Sequence, residues 1–99
     1  MTITEVRNNE MLTLTVEGRL DTTTAPVLEK TINDLLDGVT ELILDMKQLE
    51  YVSSAGLRVL LSTQKKMNPI GSMKLTGVCD EVMDVFEMTG FADILDIEK

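Results

Sequence analysis

The sequence Glu41-Leu42-Ile43-Leu44-Asp45 places three consecutive apolar residues between two acidic ones, and this run decides the fold. A short continuous apolar run is typical of a strand in a sheet that is covered on both faces. Further along, Ser53-Ser54-Ala55-Gly56 opens a segment in which leucines recur at helical spacing. We therefore predict a buried strand, a short connector over residues 46–52, and a helix.

Two more strands are predicted ahead of this unit. Residues 12–17 alternate apolar and polar side chains, which is typical of a strand with one buried face. Residues 2–7 form a second short strand, and Asn8-Asn9 between them suits a turn because asparagine tolerates positive φ. The two strands are expected to pair as a hairpin.

Helices and strands alternate in the rest of the chain. Apolar residues three to four apart predict a helix from Ala25 with Gly38 as its end, and a third helix over residues 80–88 with Gly90 as its end. Strands are predicted around Met73 and near the end of the chain. This order indicates an α/β fold, one domain over residues 1–99, with a mixed sheet of four to five strands and helices packed on it.

Composition narrows the function. Seventeen acidic residues against nine basic ones give a net charge of −8, which repels nucleic acid and anionic membranes. The chain has no histidine, which excludes catalysis by histidine. It has one cysteine, Cys79, which excludes a zinc site made of cysteines and an internal disulfide. We expect no cofactor, no metal and no enzymatic activity. The single thiol and the lack of a signal-peptide pattern predict a cytoplasmic protein.

The serine pair at residues 53–54 is the candidate site. Free N–H groups and the helix dipole at a helix N-terminus favour negative charge, so a phosphate of about −1.5 to −2 charges on Ser54 suits this position. The alternative is purely structural. Serine is among the commonest helix N-caps, so Ser54 is also explained as a cap.

Several segments of the chain resemble the STAS-domain family, and more narrowly its free-standing bacterial anti-sigma-factor antagonists. These segments are Gly18-Arg19-Leu20-Asp21, Ala25-Pro26, Leu44-Asp45, residues 49–60 and residues 85–91. The Ser-Ser-Ala-Gly-Leu element at residues 53–57 is the most specific of them. The match covers nearly the whole chain in the right order.

The resemblance implies a phosphorylation switch. It predicts a partner that is an anti-sigma factor with serine kinase activity, and a PP2C-type phosphatase that removes the phosphate. Ser54 matches the modified serine of the family, with Ser53 as the alternative because some members have aspartate there. Asp21 falls on a family position beside the phosphoacceptor; its structural alternative is a turn or capping carboxylate. The predicted partner-binding residues are Asp21, Thr22, Ser53, Ser54, Ala55, Gly56, Leu57 and Arg58, and the free protein is expected to be a monomer.

Two other functions are considered. A scaffold without phosphorylation, in a sensory assembly or as the accessory subunit of a lipid-transport ATPase, would use the serines as a helix cap and docking surface. An enzyme with Ser54 as nucleophile would need a base, and the sequence offers no motif for one.

Overall fold

A computed structural model of the chain describes residues 1–98; Lys99, the last residue of the predicted domain, lies outside the described residues. The strands are β1 (Thr2–Asn8), β2 (Met11–Leu20), β3 (Glu41–Asp45), β4 (Leu49–Val52), β5 (Ser72–Thr76) and β6 (Ile97–Glu98). The helices are α1 (Ala25–Leu35), α2 (Ser54–Met67) and α3 (Asp80–Thr89), followed by a 3-10 turn at Phe91–Asp93.

The described strands form one mixed sheet in the order β1-β2-β3-β5-β6, with β4 beside the end of β2. β1 and β2 are antiparallel and form the predicted hairpin, in which Asn9 has a φ of 59°. The other pairs are parallel, so β2, β3, β4 and β5 all run toward the same edge. The predicted α/β architecture and mixed sheet are confirmed.

The core lies where one face of the sheet meets the helices. Alternate residues of β2 are fully buried, as are Leu42 and Leu44 of β3, while Ile43 between them is only partly buried. The expectation that residues 42–44 are covered on both faces is therefore wrong. On the other face of β3, Ile43 pairs with Thr13 of β2 and Lys74 of β5, and both of these residues are partly exposed.

The number of strands also differs from the prediction of four to five, because the segment 46–52 contains β4 rather than only a connector. β2 bends at Gly18, which has a φ of 101°, and the pairing with β4 changes register at this point. The first part of β2 pairs with β3, whereas its last residues pair with β4. This division of β2 creates the sixth strand.

The ends of two helices were predicted with different success. Gly90 ends α3 in the left-handed conformation, as expected. By contrast, α1 is capped at Leu36, and Gly38 lies beyond it in the following turn. Arg7 of β1 donates to the carbonyls of Leu35 and Asp37 at 3.4 and 3.0 Å, so an arginine side chain satisfies carbonyls at the end of this helix.

Candidate functional site

The candidate site lies at the carboxyl edge of the sheet, where β2 and β4 end side by side. Leu20 pairs with Val52, and the backbone N–H of Ser53 donates to the carbonyl of Leu20 at 2.8 Å. Asp21 and Ser53 each follow directly after these paired strands. The structure therefore brings Asp21 and the serine pair, which are far apart in sequence, to one edge.

Ser53, not Ser54, caps α2. Ser53 has extended backbone angles, its Oγ accepts from the N–H of Gly56 at 3.3 Å, and its carbonyl accepts from the N–H of Leu57 at 2.9 Å. The structural alternative given for Ser54 is therefore wrong by one residue. The Ser54 hydroxyl is therefore not needed to cap the helix.

Ser54 is the first residue of α2, and its side chain is exposed. Among residues 1–98, no group hydrogen-bonds to its hydroxyl. The N-terminal turn of α2 contains no acidic residue that would repel an added anion. The position thus combines an accessible hydroxyl with a helix N-terminus, whose dipole favours negative charge.

The three residues after Ser54 fix where α2 begins. Gly56 is buried, and a Cβ at this position would lie 2.6 Å from Cγ of Leu20 and 3.0 Å from Cγ2 of Val52. Leu57 is only 6% exposed, and Ala55 is partly buried. Gly56 and Leu57 were predicted as partner-binding residues; their placement suits them to positioning the helix, whereas Arg58 and Thr22 are exposed.

Asp21 organises the loop between β2 and α1. Its Oδ1 accepts from the N–H and hydroxyl of Thr23 at 3.0 and 2.8 Å and from the N–H of Thr24 at 3.1 Å, and the Thr24 hydroxyl oxygen lies 3.2 Å away. The Thr24 hydroxyl also lies 2.7 Å from the carbonyl of Arg19, to which it is able to donate. Within the described residues, no hydrogen bond joins the Asp21 carboxylate to Ser54.

These hydrogen bonds favour the charged form of Asp21. The hydroxyl of Thr23, followed by the N–H of Thr24, lowers the pKa of the Asp21 carboxyl below its usual value of 3.8. The carboxylate is therefore ionised throughout the neutral range. Asp21 therefore acts as a turn carboxylate, which was the structural alternative considered for it. Its hydrogen bonds hold the loop next to the start of α2.

A stacked pair on the same edge was not found from the sequence. The guanidinium of Arg19 lies 4.3 Å from the centre of the Tyr51 ring, and its Nε is 4.0 Å from Oδ2 of Asp21. Arg19 and Tyr51 are partners across β2 and β4. Because β4 was read as a connector, the sequence offered no register that would bring them together.

Other chemistry at this edge is limited. Cys79 precedes α3, is partly buried, and its Sγ lies 3.6 Å from the carbonyl of Leu49. Across residues 1–98, no cluster of three or more potential ligands is arranged to hold a metal ion. Over the same residues, no helix has the length and apolar character needed to cross a membrane.

Comparisons with known proteins agree with this architecture. A family model described as the STAS domain matches residues 2–99. The anti-sigma-B factor antagonist of Bacillus subtilis (strain 168) is 32% identical over 95 residues, which are 94% of this chain and 87% of that protein.

Solved structures share the fold at lower identity. An anti-sigma factor antagonist from Mycobacterium paratuberculosis superposes with a TM-score of 0.88 at 22% identity, covering 98% of this chain and 84% of that one. The Bacillus cell fate determinant SpoIIAA in its phosphorylated form superposes with a TM-score of 0.75 at 17% identity, covering 99% and 92% of the two chains. At these identities the likeness describes the fold.

Proposed function

This chain belongs to the STAS domain family, and from that premise we propose that it is an anti-sigma factor antagonist controlled by phosphorylation of Ser54. It binds an anti-sigma factor and thereby releases a sigma factor. The anti-sigma factor is also the serine kinase that modifies Ser54, and a PP2C-type phosphatase restores the unmodified form. The role is one of binding rather than catalysis.

The proposal rests mainly on the different environments of the two serines. Ser53 is engaged as the cap of α2, whereas the hydroxyl of Ser54 is exposed and has no hydrogen-bond partner among residues 1–98. Phosphorylation of Ser54 therefore requires no loss of a structural hydrogen bond. It also leaves the cap in place, so the domain stays folded in both forms.

The position of Ser54 suits a switch that needs no refolding. In the free protein, the phosphate would lie at the N-terminus of α2, where the dipole and free N–H groups favour it. In a complex centred on Ser54, the same dianion would have to be desolvated against the partner, which costs several kcal/mol when it is unpaired. The modification therefore favours the free protein over the complex.

Asp21 and its loop complete the proposed contact surface. The hydrogen bonds from Thr23 and Thr24 fix the loop, which leaves Thr22 exposed at its tip beside the start of α2. A preformed loop loses less conformational entropy on binding than a mobile one. We assign Asp21 to positioning this loop for the anti-sigma factor.

The proposal is tested by measuring affinity for purified anti-sigma factors of the kinase type from the producing organism. We expect Ser54→Asp to weaken binding on the order of 100-fold, because a charge is buried in the interface. Ser54→Ala is expected to bind like the unmodified protein and to accept no phosphate when the anti-sigma factor and ATP are added.

Two control variants separate position from chemistry. Ser72→Asp adds the same charge at an exposed serine where β5 begins, at the opposite edge of the sheet, and should leave binding unchanged. Ser53→Ala should still be phosphorylated, although loss of the cap lowers its stability by about 1 kcal/mol. Equal affinity of the Ser54→Asp variant and the unmodified protein would contradict the proposal.

A further inference from the structure

The outward face of α2 is positively charged, whereas the chain as a whole has a negative net charge. This helix contains the basic residues Arg58, Lys65 and Lys66 and no acidic residue, whereas the whole chain has a net charge of −8. All three basic side chains are exposed. A cluster of one sign on a surface of the other is an unusual local field that a charged partner is able to recognise.

These side chains line a continuous groove rather than standing apart. A shallow, open depression of about 420 Å³, which we call the groove, lies on this helix, and its lining is the basic strip: Arg58, Leu61, Ser62, Lys65 and Lys66. Leu61 and Ser62 are partly buried and form its floor. Among residues 1–98, Arg58 and Lys65 have no ion-pair partner, whereas Lys66 donates to Oδ1 of Asn33 at 2.6 Å.

The basic strip continues the face on which Ser54 lies. Residues four, eight and eleven positions after Ser54 fall on one side of a helix with 3.6 residues per turn, which places Arg58, Ser62 and Lys65 in line with it. At 1.5 Å per residue this line is about 16 Å long. A partner that covers Ser54 is therefore positioned to extend over the groove.

We propose that the basic strip is the second half of the anti-sigma factor contact, and that it takes an acidic surface of that partner with an apolar group over Leu61. This inference rests on the proposed function and specifies the chemistry of the partner. Carboxylates are the matching groups because the strip combines three cations with the Ser62 hydroxyl and one apolar contact. Nucleic acid is disfavoured, because the strip is surrounded by a chain of net charge −8.

The basic strip also couples to the switch. Arg58 lies one turn after Ser54, at the spacing where side chains on a helix meet. A phosphate on Ser54 would attract the guanidinium of Arg58 and withdraw it from the carboxylates of the partner. Phosphorylation would then both add a repulsive charge and remove an attractive one.

The test compares the full chain with the double variant Arg58→Glu/Lys65→Glu in binding to the same anti-sigma factor, over a range of salt concentrations. We expect the double variant to bind about tenfold or more weakly at low salt, because like charges then face each other. We also expect the affinity of the unmodified protein to fall as salt is raised. The control Lys30→Glu/Lys47→Glu changes net charge by the same amount at exposed positions outside α2, with loss of the exposed Lys30–Asp34 ion pair, and should bind within about twofold of the unmodified protein.

The outcomes distinguish the two proposals. If the unmodified protein binds but the double variant and the control bind equally well, the basic strip is not part of the contact and only this inference fails. If the unmodified protein binds no anti-sigma factor, the proposed function fails and this inference fails with it. Retention of the unmodified protein on heparin at physiological ionic strength would also contradict the inference, because it would identify the strip as a general polyanion site.

Discussion

At the scale of single residues, the site depends on which polar groups are already engaged. Ser53 caps α2, whereas the adjacent Ser54 has an exposed side chain that does not cap the helix. Asp21 also has a structural role, since its Oδ1 accepts hydrogen bonds from the N–H groups of Thr23 and Thr24 and from the Thr23 hydroxyl in the loop that follows it. Accessibility of Ser54 and rigidity of the loop both follow from these local bonds.

Asp21 leads to a prediction about pH. Because its pKa is lowered in the folded protein, its stabilising contribution is fully present above the unfolded value and is lost as pH falls through the folded value. We expect Asp21→Asn to unfold more easily than the unmodified protein near neutral pH, with the difference shrinking as pH falls below 3.8. Chemical unfolding followed by circular dichroism at both pH values measures this difference.

The cause of the pKa shift is tested separately. The hydroxyl of Thr23 makes the largest contribution, so Thr23→Val should raise the pKa of the Asp21 carboxyl toward 3.8. NMR titration of the carboxyl carbon reads this value directly. A pKa of Asp21 at or above 3.8 in the unmodified protein would show that the loop is not held by this carboxylate.

At the scale of elements, the site is built by the close approach of α2 to the ends of β2 and β4. Gly56 permits this approach because its neighbours, Leu20 and Val52, leave no room for a Cβ. Leu20 is fully buried. The start of α2, and with it Ser54, is thereby held at the carboxyl edge.

Gly56→Ala tests this packing. We expect a loss of about 1–3 kcal/mol in the free energy of unfolding from the overlap with Leu20, which outweighs the gain of about 1 kcal/mol that alanine brings to a helix. Urea unfolding measures the loss. The same substitution should cost less in a Leu20→Ala background, where space has been made; an equal cost in both backgrounds would show that the overlap is not the cause.

The elements that the sequence predicted are those with a clear local pattern. The alternation along β2 and the apolar run of β3 identify these strands without knowledge of their neighbours. β4 has no such pattern, because its two middle residues are exposed and only its ends, Leu49 and Val52, are buried. β4 forms by pairing with the last residues of β2, beyond the irregularity at Gly18, and a local sequence pattern does not show this pairing.

The start of α2 was predicted from the sequence, but the suggested N-cap, Ser54, was one residue too late. The segment at residues 53–56 marks the start of a helix, yet a pattern of two adjacent serines does not tell which of them caps it. The basic strip was missed because the predicted partner-binding residues ended at Arg58, and no later residue of α2 was included in them. The missing signal was available: α2 contains no acidic residue, and Arg58 lies on the same helical face as Lys65.

At the scale of the whole molecule, charge is distributed unevenly. Residues 80–98 contain no lysine or arginine and carry much of the negative charge: Asp80, Glu81, Asp84, Glu87, Asp93, Asp96 and Glu98. α2 carries only positive charge. An acidic surface on the proposed anti-sigma factor would therefore be repelled by the region of α3 and attracted to α2, the helix that begins at Ser54.

The central claim is that Ser54 is the reversible phosphorylation site, and it is tested most directly by the intact mass of the protein purified from its own organism. We predict a species heavier by one phosphate, mapped to Ser54 by fragment spectra, absent from a Ser54→Ala strain and enriched when the phosphatase is deleted. An unmodified protein under growth, under stress and without the phosphatase would contradict the account and favour a scaffold without phosphorylation.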